Sequence, residues 1–121
     1  MQKNILKTLL EDCCLDPMTG YFRNGRCEAC DDDIGEHTVC AQMTDDFLRY
    51  SKEKGNDLMT PREELGFPGL KAGDRWCVCL GRWIEALEAG VAPPLYPRAT
   101  HESVLDQVPM EVLEKYIISD A

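Results

Sequence analysis

The sequence predicts an α+β fold with a small, mostly antiparallel sheet and three to four helices packed against it. The chain has 121 residues, enough to bury one core, so we expect a single compact domain over residues 1–121. Two observations predict this class. Turn formers at 67–74 lead into the short apolar run 76–80, which is typical of a strand buried on both faces. Segments with helix caps and apolar residues at helical spacing lie on both sides of that run.

Before this central strand, the chain offers a second strand and several turns. Residues 1–12 have apolar residues at helical spacing, with an extended entry strand as the open alternative. Residues 21–28 predict a hairpin around an Asn-Gly pair, which favours a tight type I′ turn. Three adjacent acids make 31–35 a solvated loop, because their spacing does not match a calcium-binding loop. Residues 37–43 are predicted to form the second strand.

Two helical segments are predicted between the strands. Thr44 is a favourable N-cap residue and is followed by two acids, so a helix should run from there to about Lys54 and end at Gly55. Residues 60–63 have the capping-box pattern with proline at the first helical position, which predicts one helical turn.

The C-terminal third is predicted to be mainly helical. A helix is expected over 81–89, directly after the central strand. Residues 95–99 would form a strand, but Pro97 restricts it to a sheet edge or prevents it. A threonine should cap a short helix over 100–106, and a last helix should begin at Pro109.

Composition and charge exclude several classes of partner. The net charge of −9 disfavours nucleic acid, because phosphate binding needs clustered lysine and arginine. It also disfavours anionic membrane surfaces, and no apolar run approaches the roughly 18 residues that span a bilayer. Acidic residues interrupt the apolar N-terminal stretch, so it does not fit an export signal. We therefore expect a cytoplasmic monomer.

Seven cysteines are many for such a chain, and an odd number is unusual for a disulfide scaffold. We expect them to be mostly reduced thiols that fill gaps in the core, with no cofactor. Zinc is the alternative, and its ligands would be drawn from Cys27, Cys40, Cys77, Cys79 and His37. Cys27-x-x-Cys30 alone is only half of a zinc motif.

A reactive thiol is a further alternative. Such an enzyme would use Cys40, Cys77 and Cys79 with either His37 or His101. A nearby cation or a helix N-terminus would have to favour the thiolate. In a regular strand, the side chains of His37 and Cys40 point to opposite faces.

Polar residues beside glycines suggest a pocket for a small polar ligand near the Cys77/Cys79 strand. The candidate binding residues come from three loops and one helix: Asn56, Asp57, Asp74, Arg75, Arg82, Thr100 and His101. The alternative is structural, since such residues often cap turns through their own backbone or form ion pairs.

Many short strings resemble one family of small bacterial proteins, domain of unknown function 2237. The resemblance covers nearly the whole chain and rests on specific motifs, among them Gly25-x-Cys27, His37-Thr38-Val39-Cys40-Ala41, Gly55-Asn56-Asp57-Leu58, Phe67-Pro68-Gly69-Leu70, Gly73-Asp74-x-Trp76-Cys77-x-Cys79, Arg82-Trp83 and Ala99-Thr100-His101. It implies no particular activity. From the residues, we favour a non-enzymatic binding or accessory protein, with a thiol- or zinc-dependent enzyme as the alternative.

Overall fold

The computed structural model describes residues 2–14 and 19–118 and has an α+β architecture. Two strands, β1 (His37–Gln42) and β2 (Arg75–Cys79), form an antiparallel sheet. Three α-helices accompany it, and they are α1 (Asp45–Glu53), α2 (Leu80–Glu88) and α3 (Met110–Leu113). Short 3₁₀ segments occur at Glu63–Leu65, Pro97–Ala99, Glu102–Asp106 and Glu114–Tyr116. The predicted fold class and both central strands are thus confirmed.

The sheet has two different faces. Ala41 lies opposite Trp76, and Cys40 lies opposite Cys77. Because side chains alternate along a strand, one face presents Ala41 and Trp76 and the other presents the two cysteines. The first face belongs to the main hydrophobic core with α1 and α2, where Phe47 and Trp83 are fully buried. The second face belongs to a separate buried cluster that is rich in sulfur.

The helices at 44–54 and 81–89 are confirmed, and their caps show why they form. The Thr44 hydroxyl accepts a hydrogen bond from the Phe47 N–H at 3.1 Å, as expected of an N-cap. Helix α2 buries Leu80, Trp83 and Ala86, and the Trp83 indole N–H donates to the Pro93 carbonyl at 3.0 Å. No helix in the described part of the chain is both long enough and apolar enough to cross a bilayer.

Of the two alternatives left open for residues 1–12, the helix is wrong for the described residues, and the extended alternative is met only by isolated bridges. Lys3 and Leu9 instead form an isolated antiparallel bridge. The cause is Asn4, which is fully buried: its side-chain oxygen accepts from the N–H groups of Leu6 and Thr8 at 2.9 and 3.1 Å. A side-chain amide that satisfies local backbone groups competes with the helix.

The hairpin predicted over 21–28 is also wrong, because this segment forms turns without a strand. Gly25 uses its carbonyl to accept from Cys13 and Cys14, at 2.6 and 3.2 Å, and its N–H donates to Thr19. The backbone of Gly25 therefore pairs with the N-terminal chain and with Thr19 instead of with a second strand of a hairpin.

In the C-terminal third, Pro97 prevents a regular strand at 95–99, as predicted: only single bridges form at Leu95, and Pro97 starts a 3₁₀ turn. The predicted threonine cap at 100 needs correction. His101, not the preceding threonine, caps the next segment: its Nδ1 accepts from the Ser103 N–H at 3.0 Å. The last helix ends at Leu113 and continues as a 3₁₀ turn.

The capping box at 60–63 does not form a helical turn at its own position. The Thr60 hydroxyl donates to Asp57 at 2.6 Å, and Arg62 is the N-cap residue of the helical turn that follows. The 3₁₀ turn begins three residues later, at Glu63.

Four cysteines are joined in two disulfides, which corrects the expectation of mostly reduced thiols. Cys13 pairs with Cys40, and Cys27 pairs with Cys77, with Cα–Cα distances of 5.6 and 5.3 Å. The sheet register places Cys40 opposite Cys77, and the N-terminal segment crosses this face and brings their partners. Cys14, Cys30 and Cys79 are free thiols.

Candidate functional site

The free thiol of Cys79 lies where β2 runs directly into α2. Cys79 is the last residue of the strand and the N-cap residue of the nine-residue helix. A sharp strand-to-helix junction exposes a side chain at the end of the sheet, and the positive end of the helix favours a negative charge there. Cys79 is half-buried, so its sulfur is within reach of solvent.

His37 lies beside this thiol because β1 is irregular. The register of the sheet shifts between His37 and Val39, and this β-bulge places His37 opposite Cys79. His37 Nε2 is 3.2 Å from the Cys79 sulfur. A bulge commonly redirects one side chain, and it explains why regular alternation could not predict this contact.

Asp33 completes a chain of three side chains. Its Oδ1 lies 2.8 Å from His37 Nδ1, and its Oδ2 accepts the His37 backbone N–H at 2.8 Å. Asp33 is buried, with 3 % of its surface exposed, whereas the neighbouring Asp31 and Asp32 are exposed. The prediction of a wholly solvated acidic loop is therefore wrong for this residue.

The turn that carries Asp33 is tied to the start of α2. The Glu36 carbonyl accepts from the Leu80 N–H at 3.0 Å and from the Thr38 N–H at 2.7 Å. Glu36 has a φ of 51°, a left-handed conformation that is uncommon outside glycine. Histidine, carboxylate and thiol are thus held on one rigid junction.

The surroundings favour the charged form of His37. The hydrogen bond with Cys79 raises the pKa of His37 to about 9, against an opposing effect of burial, and Asp33 raises it further. His37 is therefore an imidazolium at neutral pH. An imidazolium and a helix N-terminus are both among the features that stabilise a thiolate in proteins.

Gly35 lies directly against the side chains of Cys79 and His37. A Cβ atom at this position would lie 3.1 Å from His37 Cε1 and 3.3 Å from the Cys79 sulfur. A side chain at position 35 would therefore press on the pair formed by Cys79 and His37 (the dyad), whereas the φ of Gly35 makes no demand for glycine.

We expect Gly35→Ala to slow alkylation of Cys79 severalfold, because the added methyl group crowds the sulfur and the imidazole. The measurement is the rate of iodoacetamide modification followed by peptide mass spectrometry. Gly81→Ala is the matched control, since a Cβ there meets nothing within 4 Å. Equal slowing in both variants would contradict the steric argument.

Each member of the dyad lines its own cleft. Cys79 lines a cleft of about 430 Å³ together with Ile34, Gly35, Gly81 and Arg82, among others. His37 lines a second cleft of about 290 Å³ whose walls include the aromatic residues Tyr21, Phe67 and Trp76. A molecule bound in the first cleft would therefore contact the thiol.

The residues predicted to bind a small ligand are spread over the fold. Asp57 lines the His37 cleft and Arg82 lines the Cys79 cleft. The other five make contacts within the fold. The Asn56 backbone N–H donates to the Ser51 carbonyl, the Asp74 carboxylate accepts from the Lys71 N–H, and Arg75 stacks on Tyr96 with 3.8 Å to the ring centroid. The Thr100 hydroxyl donates to the Tyr96 carbonyl and accepts from the Cys40 N–H, and His101 caps a 3₁₀ turn. Ligand binding by these residues stays a prediction.

The residues proposed as zinc ligands fall into two places. Cys27, Cys40 and Cys77 belong to the sulfur cluster with Cys13, whereas Cys79 and His37 form the dyad. His101 uses its Nδ1 to accept from the Ser103 N–H, and burial lowers its pKa. Sequence reasoning missed Asp33 and Gly35, although the order Asp33-x-Gly35-x-His37 offered a signal: an acid and a histidine four residues apart around a glycine.

The two histidines should give opposite pH dependence of stability. The folded-state pKa of His37 lies above its ordinary 6.5, so its stabilisation is fully present below about 6.5 and is lost as the pH rises through about 9. The difference in free energy of unfolding between wild type and His37→Gln should therefore shrink over this range. The pKa of His101 is lowered. The difference in free energy of unfolding between wild type and His101→Gln should therefore shrink as the pH falls. Urea unfolding at a series of pH values measures both, and parallel curves would contradict the assignment.

Fold and site together define a small α+β protein with a Cys–His–Asp constellation at a strand-to-helix junction. The chain belongs to the family described as "Uncharacterized protein conserved in bacteria (DUF2237)", whose sequence profile it matches over residues 3–117. This confirms the resemblance found in the sequence, and the function of the family is unknown. A comparison with curated proteins gave no match.

Proposed function

We propose that the protein is a thiol-dependent enzyme that transfers or hydrolyses acyl groups, with Cys79 as its nucleophile. One observation carries this: the Cys79 sulfur is 3.2 Å from His37 Nε2, while His37 Nδ1 is 2.8 Å from the buried Asp33 carboxylate. A nucleophile, a base and a group that orients the base define this type of site by geometry.

Each side chain would have a separate role. The Cys79 thiolate attacks the carbonyl carbon of the substrate, a carbon–sulfur bond forms, and the carbonyl electron pair moves to oxygen. When the oxyanion collapses, His37 Nε2–H gives its proton to the leaving group and a thioester remains. Water then attacks the thioester, with neutral His37 accepting its proton, and the thiolate is released. Asp33 holds the imidazole orientation throughout.

The start of α2 offers donors for the oxyanion. The Leu80 N–H is already bonded to Glu36. The N–H groups of Gly81 and Arg82 belong to the first helical turn, where no carbonyl of the same helix can accept from them. Both residues line the Cys79 cleft. Backbone donors at such a place stabilise a developing negative charge.

The substrate we propose is a small polar acyl compound. Both clefts are lined by charged side chains of both signs, which are Glu36, Arg82 and Glu85 beside Cys79 and Arg23, Asp57 and Arg62 beside His37. If Cys79 proves inert towards acyl groups, the same clefts support the non-enzymatic binding protein favoured by the sequence.

A cytoplasmic location is also part of the proposal. The free thiol of Cys79 would be open to oxidation outside a reducing compartment. In the reducing cytoplasm, in contrast, we expect the two disulfides to be opened to four thiols.

The test is covalent trapping of an acyl-enzyme. Purified protein is mixed with p-nitrophenyl acetate and quenched in acid, and the acetylated peptide is identified by mass spectrometry. We expect one acetyl group on Cys79, release of p-nitrophenol in a burst, and no burst from Cys79→Ala. Cys14 and Cys30 are internal controls, because both are free and partly buried. Acetylation spread equally over the three thiols, or absent from Cys79, would overturn the proposal.

A further inference from the structure

The strongest unassigned feature outside the dyad is the sulfur cluster, formed by Cys13, Cys27, Cys40 and Cys77. All four side chains are buried, with exposures of 3, 0, 0 and 1 %. They come from β1, from β2 and from two positions of the N-terminal segment. The cluster therefore exists only in the folded chain.

Three of the four sulfur atoms lie close enough to share one metal ion. The sulfurs of Cys13, Cys27 and Cys77 are all within 4.8 Å of one another, and the fourth, that of Cys40, is bonded to Cys13. In a tetrahedral zinc–thiolate site, Zn–S bonds of about 2.3 Å place the sulfurs roughly 3.8 Å apart. The site we infer therefore needs both disulfides to be opened and the side chain of Cys40 to turn towards the other three.

We propose that the reduced form of the protein binds one Zn²⁺ at these four cysteines. Reduction by a phosphine converts each disulfide and one water into two thiols and one phosphine oxide. Zinc binding then releases four protons and gives a four-thiolate complex. The same four sulfurs thus hold the N-terminal segment to the sheet in either state, by disulfides under oxidising conditions and by the metal under reducing ones.

This assignment differs from the ligand set expected from the sequence, because it omits both Cys79 and His37 and adds Cys13. Cys79 is excluded because it pairs with His37 at 3.2 Å, and Cys13 takes its place. The site is closed, since four protein ligands fill a tetrahedron, so its role is structural. It does not depend on the proposed acyl chemistry.

The experiment uses the full chain, reduced with phosphine in denaturant and refolded anaerobically with one equivalent of Zn²⁺ or Co²⁺. We expect one zinc per chain after desalting. We also expect the Co²⁺ form to show the intense visible bands and the thiolate charge-transfer band of tetrahedral sulfur coordination. The oxidised protein should bind neither ion at these cysteines. A reduced chain that retains no metal would overturn the proposal.

Alkylation mapping identifies the ligands without any variant. In the zinc form, Cys13, Cys27, Cys40 and Cys77 should be protected, whereas Cys14, Cys30 and Cys79 should react. The Cys14→Ser/Cys30→Ser double variant should keep the cobalt spectrum, and Cys13→Ser should lose its four-sulfur bands. Protection of Cys79, or an unchanged spectrum in Cys13→Ser, would contradict the assigned set.

Discussion

Replacing His37 by Gln is expected to lower the rate of Cys79 alkylation at pH 6 by about tenfold to hundredfold. His37, whose pKa is raised to about 9, places a positive charge 3.2 Å from the Cys79 sulfur at this pH. A neighbouring cation favours attack by the thiolate, and the lower intrinsic nucleophilicity of a stabilised thiolate limits the size of the effect. Iodoacetamide kinetics with peptide mapping measure the rate at each thiol separately.

His101→Gln is the matched control, because it changes the other histidine, which caps a 3₁₀ turn and is not part of the dyad. It should leave the rate at Cys79 unchanged. Asp33→Asn should lie between wild type and His37→Gln, since the amide still occupies the site but no longer fixes the imidazolium. A Cys79 rate at pH 6 that is the same in wild type and His37→Gln would refute the ion-pair interpretation.

Removing the Cys27–Cys77 disulfide by a double change to Ala should reduce the free energy of unfolding by about 4 kcal/mol. The bond closes a loop with a sequence separation of 50 residues, and cross-linking a loop of that length restricts the unfolded chain by about this amount. The shorter Cys13–Cys40 loop, with a separation of 27, should cost slightly less, about 3.5 kcal/mol. Urea unfolding under oxidising conditions, with a metal chelator present, gives both values.

The control for this experiment is Cys14→Ala, which removes a free thiol next to a disulfide partner. Its stability should stay close to that of wild type. If the two double variants unfolded at the wild-type urea concentration, the cross-links would contribute nothing in solution.

The sequence predicted the parts of the fold that depend on local signals. Thr44 and the acids after it predicted α1, and the apolar run up to Cys79 predicted β2. It failed where distant groups decide the conformation. Asn4 is held by the Arg98 carbonyl, 94 positions away, at 3.0 Å, and no local pattern contains that contact.

In the candidate site, too, local features were predictable and contacts between distant residues were not. Cys79 and His37 were both candidates, because residue type and strand position are visible in the sequence. Their contact was not predictable, since it depends on a one-residue bulge that regular alternation does not contain. In the sequence, Asp33 cannot be told from the adjacent Asp31 and Asp32. Only the turn that buries its side chain distinguishes it from them.

The pairing of the four disulfide cysteines could not be predicted from the sequence, for a further reason. Cys40 and Cys77 face each other across the sheet, which makes them natural partners for each other. Each is bonded instead to a cysteine of the N-terminal segment. Four cysteines allow three pairings, and only the path of that segment selects among them.

The order of the two cross-links along the chain has a practical consequence. The bonds interleave, because Cys27 lies inside the 13–40 loop and Cys40 lies inside the 27–77 loop. A protease that cuts the backbone once, anywhere from 13 to 77, therefore leaves both fragments covalently attached. On a gel without reductant a nicked molecule would migrate as one band, and only added thiol would release the pieces.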